Sequence, residues 1–194
     1  MTIKKLAAIL GLSHTTVSRA LNDHPAISQA TKDSVLQAAR EYGYIPNSAA
    51  RALRNASTGA FGLVIPDIQN DFFITITNAI AHVAAERSWQ MMPSISGDKP
   101  EMEHAALLRL MTARVDGIIF APTANPLPET QELVMRTNAV QLLRHHDNLP
   151  TPVIAIDERY GITQAVQHLR ELGHTRIGYI GSAQQLSTGA ERLQ

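Results

Sequence analysis

The stretch LSHTTVSRALN, Leu12–Asn22, decides how the amino-terminal part of the chain folds. On a helix, Val17, Ala20 and Leu21 would share one side, because residues three and four apart are neighbours on a helical surface. The other side would carry small polar groups and one guanidinium: His14, Thr15, Ser18, Arg19 and Asn22. Two interpretations follow from the stretch alone. Such a face contacts a polyanion, or it belongs to a solvated helix that is short of carboxylates.

Residues that start and end helices surround this stretch. Thr2 can cap a first helix, which Gly11 can end in the left-handed conformation, and Ser13 can cap the quoted helix. A third helix can begin after Ser28 and end at Gly43. Because only a few residues separate the first two helices, the spacing predicts a helix-turn-helix domain.

The segment YIPNSAARALR continues with a shorter helical pattern, in which Asn47 can cap a helix from Ser48 to about Arg54. A helix of this length has little stability of its own in water, so we expect it to form with a partner. NASTGA then reads as a linker. The predicted domains are a helix-turn-helix domain at 1–46, a hinge helix and linker at 47–60, and an α/β core at 61–194.

From Phe61 the pattern changes to buried strands alternating with helices. The predicted strands are FGLVI, Met91–Ile95, GIIFA, AVQLL, VIAI and RIGYIG, and the predicted helices lie near 72–88, 101–114, 129–138 and 161–172. This alternation predicts a parallel sheet with helices on both faces. The connection HHDNLPTP between AVQLL and VIAI is too short for a helical crossover, so we expect a passage to a second sheet there. The first subdomain would then span about 61–145 and the second would start at about 150–194.

Composition narrows the functional classes. The 194 residues include no cysteine, which excludes disulfides and thiolate metal sites. No apolar run approaches the ~20 residues of a membrane span, and the amino terminus does not resemble a signal peptide, so a cytoplasmic protein is expected. Residues 1–60 carry seven Lys and Arg against three Asp and Glu, whereas the rest has an excess of acid. This asymmetry suggests that only the first part meets a polyanion.

Catalytic and metal-binding patterns are missing from the sequence. No Walker A, G-x-S-x-G, H-E-x-x-H or strand-linked G-x-G-x-x-G motif occurs, so neither an enzyme nor a cofactor is expected. His145 and His146 are adjacent and cannot easily face one metal ion together. We interpret the pair as part of a surface loop, and we expect no metal site.

With these elements in place, the chain resembles the lactose-repressor (LacI/GalR) family of bacterial transcription regulators. The matching stretches are LAAILGLSHTTVSRALN, GYIPNSAARALR, ARVDGIIFAP, HLRELGHTRIGYIGS and GAERLQ, in this order. The resemblance implies a homodimer that binds palindromic double-stranded operator DNA. It also implies a periplasmic-binding-protein-like core of two α/β subdomains with a small-molecule effector, often a sugar or nucleobase, in the cleft. The family's core continues beyond Gln194, so the core is expected to be incomplete at the carboxyl terminus.

The resemblance assigns DNA contacts to the quoted helix and to the hinge. His14, Thr15 and Arg19 match base-reading positions, and an arginine can fork onto guanine O6 and N7. Leu53 matches the family's apolar wedge in the minor groove; the alternative is that it packs on the core. Ala50 is small enough to let two hinge helices approach. The predicted DNA-binding residues are His14, Thr15, Thr16, Ser18, Arg19, Asn22, Asn47, Ala50 and Leu53.

The resemblance also implies effector contacts on loops at strand ends, where open α/β sheets bind ligands. The predicted residues are Asp67, Phe72, Phe73, Arg144, Asp157, Thr188 and Arg192. Arg192 can fork onto a hydroxyl pair or a carboxylate. The two phenylalanines can form an apolar wall, although such a pair at the start of a helix is more often core. Arg144 stands where several sugar-binding relatives place an aspartate, which argues against a simple neutral sugar.

The sequence therefore predicts a DNA-binding transcriptional regulator, a repressor whose operator affinity responds to a small molecule. Two alternatives stay open. One is a small-molecule-binding or enzymatic α/β module on which the amino-terminal helices merely pack. The other is a truncated regulator without function.

Overall fold

The computed structural model describes residues 1–44 and 57–193. The chain divides into two compact units, residues 1–56 and residues 57–194. The predicted hinge helix, with Asn47, Ala50 and Leu53, lies outside the described residues.

Three short helices form the described part of the first unit: α1 (Ile3–Leu10), α2 (His14–Leu21) and α3 (Gln29–Glu41). Each begins where a hydroxyl side chain accepts a backbone N–H three residues on, as predicted for Thr2, Ser13 and Ser28. Gly11 ends α1 with φ 63°, a left-handed conformation that glycine adopts without strain. The predicted helix-turn-helix is confirmed.

A small apolar core holds these helices together. Leu6, Val17 and Val35, one from each helix, are fully buried and pack with four alanines. Leu36 and Tyr42, which the helical pattern places inward, are exposed. Leu36 lies about 100° around the helix from Val35, and Tyr44 packs against the core beyond the end of α3. With so few buried side chains, each contributes a large share of this unit's stability.

The second unit contains a five-stranded parallel sheet in the order β2-β1-β3-β4-β5. The strands are β1 (Ala60–Ile65), β2 (Gln90–Ile95), β3 (Gly117–Phe120), β4 (Ala139–Leu142) and β5 (Val153–Ile154). The helices are α4 (Asp71–Glu86), α5 (Pro100–Thr112), α6 (Pro128–Met135), α7 (Glu158–Glu171) and α8 (Ser187–Glu191). Because all strands are parallel, the loops that follow them leave from one edge of the sheet.

Each face of the sheet has its own apolar cluster, which follows from the alternation of side chains along a strand. Val64 packs with residues of α5 and α6, including Leu107 and Val134. Its neighbour Leu63 points to the opposite face and belongs to a cluster with Phe73 of α4. The predicted parallel sheet covered on both faces is confirmed.

The expected passage to a second sheet after β4 is wrong, because β5 pairs in parallel with β4 in the same sheet. The buried Gln141 explains how the short connection achieves this. Its Nε2 donates to the carbonyl oxygens of Leu149 (3.0 Å) and Thr151 (3.4 Å), and its Oε1 accepts the N–H of His146 (2.8 Å). One side-chain amide therefore folds the loop back on the sheet without a helix.

The prediction that RIGYIG forms a buried strand is also wrong. Residues 174–183 form neither helix nor strand, and Ile180 is fully exposed. A strand must pair its backbone N–H and C=O groups with a neighbour, and no described strand pairs with this segment. α7 begins three residues earlier than the pattern predicts because Asp157 caps it, and α8 was not predicted.

Candidate DNA-binding surface and ligand site

The exposed face of α2 carries the polar side chains that the sequence places there. His14, Thr15, Arg19 and Asn22 are exposed, whereas Thr16 and Ser18 are half-buried. The hydroxyl groups of Thr16 and Ser13 lie 2.9 Å apart, within hydrogen-bond distance, so Thr16 is part of the helix cap as well as a predicted DNA contact. The face presents donors and no carboxylate, which suits contact with phosphates and base edges.

The turn after α2 is fixed by contacts that sequence reasoning missed. Asn22 donates from Nδ2 to the carbonyl oxygen of Ser18 at 2.7 Å, which closes the end of the helix. Asp23 has φ 52° and accepts a hydrogen bond from Lys32 of α3 at 2.5 Å. The hydrogen bond and the charge of Lys32 lower the pKa of the Asp23 carboxyl. The spacing of nine residues gave no signal for this pair, which ties the loop after α2 to α3.

The carboxyl edge of the sheet gathers several of the predicted effector residues. Arg144, after β4, pairs with Asp98, after β2, and its guanidinium lies 5.8 Å from the ring centre of Phe73. Phe73 is buried, whereas Phe72 is 46% exposed, and the two ring centres lie 6.0 Å apart at 71°. Asp67, after β1, accepts the N–H of Gln69 at 2.7 Å. Phe73 thus belongs to the core, as the alternative for such a pair has it, and only Phe72 presents its ring to solvent beside the Arg144–Asp98 ion pair.

Glu103 is a buried acid beneath this edge, and sequence reasoning missed it. Its carboxylate accepts the Thr123 N–H at 2.6 Å and the Thr123 hydroxyl at 3.2 Å. Burial raises the pKa of Glu103 to about 7, against the opposing effect of these hydrogen bonds. The charge of Asp98 raises this pKa and the charge of Arg144 lowers it, so the buried acid interacts electrostatically with both members of the ion pair at the edge. In the sequence, Glu103 is one of two acids in the first turn of α5, and nothing marks it as buried.

A second group of predicted residues lies around a cavity of about 460 Å³ beside α7. Arg192 forks onto Glu158, with Nε and Nη2 donating to the two carboxylate oxygens at 2.6 and 2.7 Å. This hydrogen bonding raises the pKa of Arg192. Asp157 accepts the N–H of Tyr160 at 2.8 Å and so caps α7. Arg192, predicted to fork onto a ligand, here has an internal carboxylate as its partner.

His145 connects the carboxyl edge with α8. Its N–H donates to the Ser187 hydroxyl at 2.9 Å, and its Nδ1 lies 3.5 Å from Glu191. Thr188 follows directly in α8. The loop that carries Arg144 therefore contacts the helix that precedes Arg192. The two groups of predicted effector residues are linked through these two contacts of His145.

Within residues 1–44 and 57–193, no cluster of three or more His, Cys, Asp or Glu side chains is arranged to hold a metal ion. None of the helices there is long and apolar enough to cross a membrane.

A helix-turn-helix unit followed by a parallel α/β unit, with polar loops at the carboxyl edge of the sheet, defines the class of DNA-binding regulators with a periplasmic-binding-protein-like part. Residues 2–47 match the family "Bacterial regulatory proteins, lacI family". Residues 58–194 match "Periplasmic binding proteins and sugar binding domain of LacI family". The chain belongs to the LacI family.

Individual relatives agree with this family. The chain is 32% identical to the HTH-type transcriptional regulator GalR of Escherichia coli K12, and 31% identical to the ribose operon repressor of Halalkalibacterium halodurans. Both alignments cover 100% of this chain and 57% of the relative, so the chain spans little more than half of their length. These relatives are regulators, in agreement with the expectation that the chain is not an enzyme.

Solved structures show the same fold. The lac repressor dimer bound to operator and the anti-inducer ONPF has a TM-score of 0.82 and 25% identity. The lac repressor bound to ONPG in the repressed state has a TM-score of 0.80. The first comparison covers 100% of this chain and 59% of the solved chain, and the second covers 100% and 60%.

Proposed function

We propose that the protein is a sequence-specific DNA-binding transcriptional regulator, a repressor that binds a palindromic operator as a dimer. The observation that carries this proposal is the carboxylate-free polar face of α2 on a folded helix-turn-helix. Support comes from similar proteins, one of which is named a ribose operon repressor and another of which was solved as a dimer on operator. Acting on chromosomal DNA, such a regulator works in the cytoplasm.

Within this proposal, His14, Thr15 and Arg19 read base edges, and Thr16, Ser18 and Asn22 contact phosphates. The exposure of the three base-reading residues on α2 supports this division. The proposed contacts of Asn47, Ala50 and Leu53 rest on the sequence resemblance, since these residues lie outside the described ranges.

We also propose that a small molecule bound at the carboxyl edge modulates DNA affinity. The proposed contacts are Asp67, Phe72, Phe73, Arg144, Asp157, Thr188 and Arg192. The ion pairs Arg144–Asp98 and Arg192–Glu158 bear on the chemistry of the ligand. Because each guanidinium is already neutralised by a carboxylate, the site does not require an anionic ligand. An uncharged ligand rich in hydroxyl groups, such as a sugar, can bond to both members of each pair. The pairing of Arg144 with Asp98 thus supports a sugar ligand even though an arginine stands where several sugar-binding relatives place an aspartate.

The decisive test of DNA binding is Arg19→Ala, with Arg40→Ala as a matched control at the exposed end of α3. The probe is a palindromic duplex selected by the wild-type protein from a random pool. We expect Arg19→Ala to weaken binding by about 1–3 kcal/mol and to relax preference at one base position. Fluorescence anisotropy on this duplex and on its single-base variants measures both effects.

Three results would contradict parts of the proposal. A uniform loss on every duplex would reassign Arg19 to phosphate contact. Equal losses for Arg19→Ala and Arg40→Ala would remove the special role of the α2 face. Wild-type binding that is absent, or that does not weaken steeply with salt, would favour an α/β module whose helices do not contact DNA.

A further inference from the structure

Asp116, at the amino end of β3, collects hydrogen bonds from the segment that leads into the core. Its Oδ2 accepts the Ser57 hydroxyl and the Gly59 N–H, both at 2.8 Å, and its Oδ1 accepts the Thr58 N–H at 2.9 Å. Three consecutive residues therefore donate to one carboxylate. Burial alone would raise the pKa of Asp116, but the hydrogen bonds from Thr58, Ser57 and Gly59 together outweigh it and lower the pKa, so the carboxylate stays charged at neutral pH.

The backbone on either side strengthens this contact. Gln90 of β2 donates its N–H to the Gly59 carbonyl at 2.8 Å, and Asp116 donates its own N–H to the Ala60 carbonyl at 2.8 Å. Gly59 has φ 68°, and this left-handed turn brings both its N–H and that of Thr58 to the carboxylate. The chain is thus held from two neighbouring strands at the point where β1 begins.

This arrangement is more than β1 needs for its own pairing. β1 already pairs with β2 and β3 through six and four residue pairs. The bonds from Ser57 and Thr58 add nothing to that ladder; they fix residues that come before the strand. These residues follow directly on the segment that contains Asn47, Ala50 and Leu53.

We propose that Asp116 is a positioning residue for DNA binding. It fixes residues 57–59, the point at which the chain from the DNA-contacting part enters the core. This inference rests on the proposed function. Each freely rotating residue between two DNA-contacting heads adds conformational freedom that binding must remove. An anchor at 57–59 removes this freedom from three residues in each subunit of a dimer. It therefore sets the separation of the two half-sites that the dimer prefers.

The test compares the wild-type chain with Asp116→Asn, Ser57→Ala and a control, Glu101→Gln, an exposed acid in the first turn of α5. Asparagine keeps one acceptor oxygen and replaces the other with a donor, so in the present geometry either the Thr58 N–H or the Gly59 N–H loses its acceptor. Ser57→Ala removes one donor and leaves the carboxylate. Amide hydrogen exchange first measures whether Thr58 and Gly59 lose protection, and thermal unfolding measures whether the core stays folded.

DNA binding is then measured on the selected palindromic duplex and on versions with one base pair added or removed at its centre. We expect the wild type and Glu101→Gln to prefer the original spacing. For Asp116→Asn, we expect the affinity for the duplex with the original spacing to fall about tenfold. We also expect the affinities for the three duplexes to differ much less than in the wild type, because a less constrained connection can adapt to each spacing. Ser57→Ala should lie between the two.

Different failures have different meanings. If the wild-type protein binds none of the duplexes, the proposed function is wrong. The hydrogen-exchange data would still show whether Asp116 holds residues 58 and 59. An Asp116→Asn chain that stays folded, loses that protection and keeps the wild-type spacing preference overturns the positioning role. So does a wild-type chain without any spacing preference. If the Asp116→Asn chain unfolds, Ser57→Ala is judged instead by the same two measurements, the amide protection of residues 58 and 59 and the spacing preference.

Discussion

Replacing the buried Glu103 with glutamine should make the stability of the core less dependent on pH. The carboxyl is fully buried, and its pKa lies near 7 in the folded protein against an ordinary value of 4.5. Between these two pH values the folded state holds a proton that the unfolded state has released. Its contribution to stability is therefore complete below about pH 4.5 and is lost as the pH rises toward 7.

The size of the effect follows from the two values. Stability falls by up to about 1.4 kcal/mol for each pH unit over an interval of about 2.5 units, which gives a loss of about 3 kcal/mol. Glutamine carries no proton that can be released, so Glu103→Gln should remove this loss. Its Oε1 can still accept the Thr123 N–H, although the neutral hydrogen bond is weaker. The net gain of the variant at pH 8 should then be about 1–2 kcal/mol.

Urea unfolding at pH 5, 6, 7 and 8 measures this, with Trp89 as the probe. Trp89 is the single tryptophan and stands before β2, so its fluorescence reports the second unit. The difference between wild type and variant cancels the titration of every other group. Glu101→Gln, on the same turn but exposed, serves as the control. A wild-type minus variant difference that stays constant from pH 5 to pH 8 would refute the reasoning.

Two further predictions concern the first unit and the proposed DNA contact of Leu53. Leu6→Ala should cost about 2–5 kcal/mol, enough to unfold much of the first unit, because Leu6 is fully buried in a small cluster. Ile9→Ala, at a half-exposed position of the same helix, should cost well under half as much; circular dichroism melting compares the two, and equal losses would contradict the assigned core. Leu53→Ala should abolish most DNA bending while the first unit stays folded, as a fluorescence-energy-transfer measurement on end-labelled duplexes would show. Unchanged bending would indicate that Leu53 packs on the core instead.

Local signals in the sequence were enough for much of the fold. The hydroxyl caps at Thr2, Ser13 and Ser28 and the spacing of apolar residues define the three amino-terminal helices, because capping and periodicity act within one or two turns. β1 and β3 were equally readable, since buried parallel strands have continuous apolar runs. β4 and the partly exposed edge strand β2 were also predicted, although each includes polar residues. The exposed face of α2 follows from the same periodicity.

The features that the sequence did not predict depend on contacts between residues that are far apart in the chain. RIGYIG has the composition of a buried strand, but composition cannot supply the neighbour with which a strand must pair. Asp98 and Glu103 join the carboxyl edge through Arg144 and Thr123, at separations of 46 and 20 residues that no local pattern encodes. The sequence predicts that Arg192 forks onto a hydroxyl pair or a carboxylate of a ligand, but its partner Glu158 and the pairing of Arg144 with Asp98 came only from the structure.

The amide of Gln141 also determines where this protein tolerates a change in length. Ten residues, LRHHDNLPTP, separate β4 from β5, and their composition is that of an adaptable surface loop. Yet Gln141 bonds to three backbone groups within it, and Leu149 is buried in the core. An insertion between residues 146 and 151 would shift the bonded backbone groups away from Gln141 and break these contacts. In most exposed loops, by contrast, extra residues cost little stability. A reporter domain inserted into this protein therefore belongs in another loop.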